Sequence, residues 1–196
     1  MRRPAHALAA VCSALAALAL HACGAVPATD LVPLPVGGDI ELSQSEGRTF
    51  RLADHSAEVK LVFFGYASCP DACPRALGRV RQVEALLGAE RERLLSVFVS
   101  VDPERDTPEH LAEWIGFFGV RGVGVTGSAE RIAAIAKTYG ASYEKAASDS
   151  AMGYLIDHST YLYLVDRGGR VRRIIRSEDP PEQIARWVKA LLAERA

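Results

Sequence analysis

The chain has 196 residues, 49% of them hydrophobic and 24% charged, and its 23 basic and 24 acidic side chains leave a net charge of −1. With acids balancing bases there is no basic patch of the kind that nucleic-acid binding needs. The length, less any leader, suits one domain with a sizeable core.

Arg2-Arg3 followed by the apolar run Ala7 to Leu20 has the form of an export signal and is too short for a comfortable membrane span. Leu20-His21-Ala22-Cys23 then resembles a bacterial lipobox, with a small residue before the cysteine and an aliphatic one three before it. The expectation is a signal over residues 1–22, cleavage before Cys23, and lipid attachment at that cysteine, which anchors the domain on the extracytoplasmic side of a bacterial membrane. An uncleaved signal anchor and ordinary signal cleavage nearby are the alternatives. Removing residues 1–22 takes away two arginines and no acids, which moves the net charge from −1 to −3. Of the four cysteines, Cys12 leaves with the signal and Cys23 is acylated, so Cys69 and Cys73 remain as thiols.

Residues 23–38 contain Pro27, Pro33, Pro35 and a Gly-Gly pair without amphipathic period, and read as a flexible tether. At roughly 3 Å per residue such a segment reaches about 40 Å. The globular domain is expected over 39–196. It opens with a hairpin, Ile40-Glu41-Leu42 and Thr49 to Leu52 about the turn Ser45-Glu46-Gly47. Val59 to Tyr66 has the length and the β-branched and aromatic content of a buried strand. Arg75 to Leu87, with apolar residues at 76, 77, 80, 83, 86 and 87, has the spacing of a helix face.

Between that strand and that helix lies Ser68-Cys69-Pro70-Asp71-Ala72-Cys73-Pro74. Each cysteine precedes a proline, which disfavours the α region for both, and Pro74 suits a first helical position. The spacing predicts a loop over 69–73 with Cys73 at the helix entrance, where N–H groups and the helix dipole favour a thiolate. In an oxidising compartment the plain alternative is a structural disulfide. The loop it would close is so short that little stabilisation would follow.

Leu94 to Val101 reads as a second buried strand, making a parallel β-α-β pair with the first. Thr107 caps and Pro108 opens a helix to about Phe118; Asp102, Arg105 and Asp106 before it read as turn-forming, ion-paired residues. Gly119 to Gly127 is loop with a short extended piece, and Ser128 caps a helix that ends at Tyr139 with Gly140 as C-cap. Lys145 to Gly153, small and polar, reads as a mobile loop containing Met152, a candidate transient axial ligand. Thr160 to Val165 and Val171 to Arg176 form a strand pair about Asp166-Arg167-Gly168-Gly169. Asp179 and Glu182 form a capping box for a terminal helix to about Ala193. The order predicts an α/β, thioredoxin-like mixed sheet with helices on both faces and an N-terminal β-hairpin.

Strand carboxyl ends are where such sheets place their sites. Asp157-His158-Ser159, just before the Thr160 strand, occupies the place where thioredoxins carry a proline facing the cysteines. His158 is either a hydrogen-bonded loop histidine or a third donor beside the two sulfurs. Two sulfurs and one nitrogen suit copper(I) and fall one ligand short of a closed zinc site. Asp157 is a candidate carboxylate for orienting the imidazole. His55 and His110 read as surface residues.

Phe64-Gly65-Tyr66, Cys69 to Pro74, Val101 to Pro108 and Asp157-His158-Ser159 together resemble the Sco/SenC/PrrC family of copper chaperones, over about residues 36–193. The resemblance implies a thioredoxin-like domain that binds one copper ion through Cys69, Cys73 and His158. It further implies delivery to, or maturation of, the binuclear copper A centre of cytochrome c oxidase, with that subunit or another copper chaperone as partner. Thiol–disulfide exchange or redox signalling through Cys69 and Cys73 is the alternative activity.

Overall fold

The computed structural model describes residues 31–148 and 153–194. Met152, Cys23 and the expected signal lie outside those residues. The strands and helices run β1 (Glu41–Ser43), β2 (Thr49–Arg51), β3 (Val59–Gly65), α1 (Ala72–Leu87), β4 (Leu94–Ser100), α2 (Pro108–Phe118), β5 (Gly122–Val125), α3 (Ala129–Tyr139), β6 (Tyr143–Ala147), β7 (Tyr154–His158), β8 (Leu162–Val165), β9 (Val171–Ile175) and α4 (Pro181–Ala193).

The main sheet has the order β5-β4-β3-β8-β9. β3 lies at its centre, parallel to β4 from Val59↔Leu94 to Gly65↔Ser100 and antiparallel to β8. All seven residues of β3 are buried, as an apolar run covered on both faces requires. Strand alternation sends Phe63 and Gly65 toward α1, where a Cβ on Gly65 would lie 2.6 Å from Cys73 Sγ. It sends Phe64 to the opposite face, onto Tyr139 of α3, with ring centroids 5.4 Å apart. The sheet is therefore mixed and has helices on both faces, the thioredoxin-like arrangement expected. β1 and β2 form the N-terminal hairpin, joined to the chain beyond β5 by a Ser43↔Thr126 bridge.

Three sequence expectations are corrected. Residues 31–38 do not behave as tether. Leu31 is fully buried, Leu34 N–H donates to Val171 O at 2.8 Å, and Gly37 N–H donates to Thr138 O at 2.8 Å. Gly37, at φ 103°, packs so closely that a Cβ would meet Val171 Cγ2 at 2.5 Å. Backbone bonds to the β9 edge and to the last turn of α3 order this stretch, and they leave no periodic signature in side chains. Second, residues 145–147 belong to β6, which pairs with β7 from Tyr143↔His158 to Ala147↔Tyr154. This two-stranded ribbon stands apart from the main sheet. Third, α4 has Pro180 at its N-cap without a side-chain cap, and Asp179 instead accepts from Arg176 N–H at 2.8 Å. The caps at Thr107 and Ser128 form as expected, accepting from His110 and Arg131 N–H at 3.1 and 3.2 Å.

Candidate metal centre

At the carboxyl end of β3 the chain turns, with Cys69 N–H donating to Tyr66 O at 3.1 Å, and enters α1 at Ala72. Cys73 is thus the second residue of the helix and fully buried, whereas Cys69 sits on the turn at 8% exposure. Cys73 N–H points at Cys69 Sγ, 3.4 Å away. Both cysteines are free thiols.

The N-terminal N–H groups of the helix therefore favour the charge of Cys69, not Cys73. Cys69 is held well below the ordinary thiol range, first by the hydrogen bond from the Cys73 thiol; burial opposes this, and the His158 imidazole and the N–H groups of Cys73 and Asp71 add to it. Cys73 is pushed far up, chiefly by burial and then by the neighbouring Cys69. The helix-entrance argument is sound but selects the other sulfur.

His158 ends β7 and reaches both sulfurs. Its Nε2 lies 3.5 Å from Cys73 Sγ and 3.8 Å from Cys69 Sγ, while Nδ1 lies 3.0 Å from Ser159 O. A carbonyl oxygen only accepts, so Nδ1 carries a proton; Nε2, facing the sulfurs, donates to the Cys69 thiolate when the ring is charged and is bare, able to ligate a metal, when the ring is neutral. Burial favours that neutral ring, but the Cys69 thiolate and the Ser159 carbonyl outweigh it and raise the imidazole pKa. Phe63 and Tyr66 meet the imidazole ring edge-on, at centroid distances of 5.8 and 5.7 Å.

These three side chains are the only group of three or more among the described residues with donor atoms close enough to share a cation, all within 4.8 Å of one another. A cation bonded at about 2.0 Å to nitrogen and about 2.3 Å to sulfur holds those donors roughly 3.5–3.7 Å apart. The observed separations, 3.5 and 3.8 Å, lie within about 0.1 Å of that span. The loop-histidine alternative does not hold, because His158 belongs to a strand and faces the thiols.

Asp157 is exposed, and alternation along β7 turns it away from the site. The orienting partner is the Ser159 carbonyl, a backbone group that no residue type announces. Asp102, Arg105 and Asp106 are ion-paired as expected, but they also do more. Asp102 and Asp106 are buried. Asp106 Oδ2 accepts from Ala67 N–H at 3.0 Å and from the Ser100 hydroxyl at 2.6 Å. Arg105 pairs with Asp102, donates to Tyr154 O at 3.1 Å and lies 3.8 Å from the centroid of the Tyr154 ring. The Tyr154 hydroxyl donates to Asp102 at 2.6 Å, and Tyr66 OH accepts from Ile156 N–H at 3.2 Å. Tyr66, Tyr154 and Phe63 received no role from the sequence. The signal available for Phe63 was its parity with Gly65 along the strand. His110 is half exposed at 3.7 Å from Asp106, and His55 bonds Glu58 at 2.8 Å.

The SCO1/SenC family profile matches residues 29–193. A SCO2-like protein of Rickettsia felis is 30% identical over 155 residues, covering 79% of this chain and 76% of its own. The structure of Bradyrhizobium japonicum ScoI with copper bound superposes with a TM-score of 0.72 at 30% identity, covering 80% of this chain and 99% of that one. A SCO1/SenC family lipoprotein from Bacillus anthracis gives a TM-score of 0.67 at 26% identity, covering 81% and 96%.

Proposed function

Because the chain belongs to the SCO1/SenC family, we propose that it binds one copper ion through Cys69, Cys73 and His158 and serves in the assembly of cytochrome c oxidase, delivering that ion to the copper A centre. The copper carried by the Bradyrhizobium relative supports the choice of metal. The observation that carries the reading is the imidazole Nε2 set 3.5 and 3.8 Å from two free sulfurs. A donor set of two soft sulfurs and one imidazole favours copper(I), and zinc lacks its fourth protein ligand.

The sulfurs also act as a gate. Joined in a disulfide they cannot serve as thiolate ligands, so copper uptake requires the reduced pair. The low pKa of Cys69 further supports exchange with a partner disulfide. Cys69 thiolate attacks one partner sulfur and expels the other as a thiolate; Cys73, after losing its proton, then displaces the remaining partner sulfur. The products are a Cys69–Cys73 disulfide and a reduced partner dithiol. This step would reduce the cysteines of an acceptor before metal is transferred.

We further propose that Cys23 carries lipid, as the Bacillus relative is a lipoprotein, and holds the domain on the extracytoplasmic side of the membrane. Among the described residues no helix is long and apolar enough to cross a membrane. Cys23→Ser should release the domain or leave an unprocessed precursor, and a mature form starting well beyond Cys23 would overturn the anchor.

Metal analysis of the purified protein after reduction and after oxidation tests the site. One copper per monomer is expected in the reduced form and almost none in the oxidised form. Equal uptake by both would remove the cysteines as ligands.

A further inference from the structure

The two halves of the metal centre come from different segments, which meet directly where Tyr66 OH accepts from Ile156 N–H at 3.2 Å. Cys69 and Cys73 belong to the end of β3 and the start of α1, whereas His158 belongs to the β6–β7 ribbon, outside the main sheet. One short turn, residues 102–106, reaches both. Asp106 accepts the Ala67 N–H two residues before Cys69. Arg105 reaches the other way, donating to the backbone of Tyr154 on the histidine strand with its guanidinium over that ring and 5.5 Å from the centroid of Tyr66. Asp102 closes the bracket by holding Arg105 and the Tyr154 hydroxyl on its two oxygens.

We propose that Arg105 is a positioning residue of this site: with the Tyr66–Ile156 bond it docks the ribbon against the turn and so helps to fix the distance between the His158 imidazole and the two sulfurs, while Asp106 fixes the cysteine side. Arg105 is not one of the three donors and acts on the site through Tyr154 and the strand that follows it. A planar guanidinium is required, because one group must stack between two rings and donate along two directions at once. Lysine offers a point charge and no plane. The assignment of metal rests on the proposed copper reading; the docking of the ribbon does not.

The test uses Arg105→Ala, with Arg105→Lys and Tyr154→Phe as milder variants that serve if the first does not fold. In the metal-free protein, amide exchange should accelerate at 143–147 and 154–158 and remain unchanged in β4 at 94–100. With copper(I) added, affinity should fall about tenfold, within the 10- to 100-fold range for outer partners of metal ligands. X-ray absorption should show the nitrogen contribution lost or lengthened and both sulfurs retained. Arg105→Lys should recover little, and Tyr154→Phe should show the same pattern weakly. Wild-type exchange in the ribbon together with an intact nitrogen shell would overturn the proposal, as would exchange that rises equally in β4. If the wild-type protein takes up no copper but the ribbon still loosens in the variants, the copper reading fails and the positioning role stands.

Discussion

The sulfur side and the nitrogen side of the centre are built in different ways. Cys73 is fully buried on a helix that packs against the central strand, and Gly65 leaves no room for even a methyl group beside its sulfur. Its position is set by the same burial that holds the fold together. His158 is half-buried at the end of a two-stranded ribbon, a unit that is marginal by itself. Two rings, one arginine and the Ser159 carbonyl hold it in place. The difference separates what creates the site from what adjusts it: the core presents the sulfurs whether or not the ribbon is seated.

Removing a donor from each side gives the largest expected effects. Cys73→Ala should lower copper(I) affinity by more than about 100-fold, beyond the range of outer partners of metal ligands. It should also leave a small cavity in the core, since Cys73 is fully buried. His158→Ala should lose tight binding too, to a lesser degree, and should lower the melting transition less than Cys73→Ala does, because its ring is only half-buried. Competition titration against a copper(I) chelator and a thermal melt separate the two. If His158→Ala kept wild-type affinity, the imidazole would not be a ligand. If it lowered the melting temperature as much as Cys73→Ala, the two sides would not differ as described.

The next contrast lies within the sulfur side. A pKa lowered in the folded state keeps Cys69 a thiolate at pH values where a free thiol, near 8.5, is protonated. Cys73, raised by burial, stays protonated through the same range. Alkylation of the reduced, metal-free protein at pH 6 should therefore modify Cys69 first, by about tenfold or more in rate. Peptide mapping that found Cys73 labelled first, or both equally, would reverse the assignment.

These particulars mark where sequence reasoning works and where it stops. The β3 run, the α1 stripe, the Thr107 and Ser128 caps and the β-α-β order are local patterns, and each appears in the structure. That order places Cys69 and Cys73 at a strand end with the segment 157–159 beside them, while the choice of His158 as the third donor comes from the family resemblance. The identity of the thiolate does not follow. It depends on whether α1 starts at Ala72 or two residues later, and boundaries shift by that much. Residues 31–38 and 145–147 differ from the sequence expectation for a common reason: both are ordered by backbone bonds to a neighbouring strand or helix end, and Ala146 and Ala147 carry no side-chain trace of it. The Asp179 box failed because its carboxylate caps the preceding turn at Arg176 instead.

Asp157 gives the smallest expected effect and the sharpest check on the nitrogen side. A carboxylate next to a candidate histidine invites an orienting role, as in many metal sites. Here the strand puts the two side chains on opposite faces, and Nδ1 is already engaged by Ser159 O. Asp157 instead stands directly across from Glu144, a like-charged pair on the exposed face of the ribbon. Such pairs are unfavourable, on a scale of roughly 0.2–1 kcal/mol for directly opposed residues. Asp157→Asn should therefore change copper(I) affinity by less than about twofold, well below the 10- to 100-fold expected of a true orienting partner. It should slow amide exchange in the ribbon slightly, by relieving the repulsion, with the gain shrinking as salt screens the charges. A tenfold loss of affinity would mean that the carboxylate reaches the imidazole after all, and that the ribbon turns when metal binds.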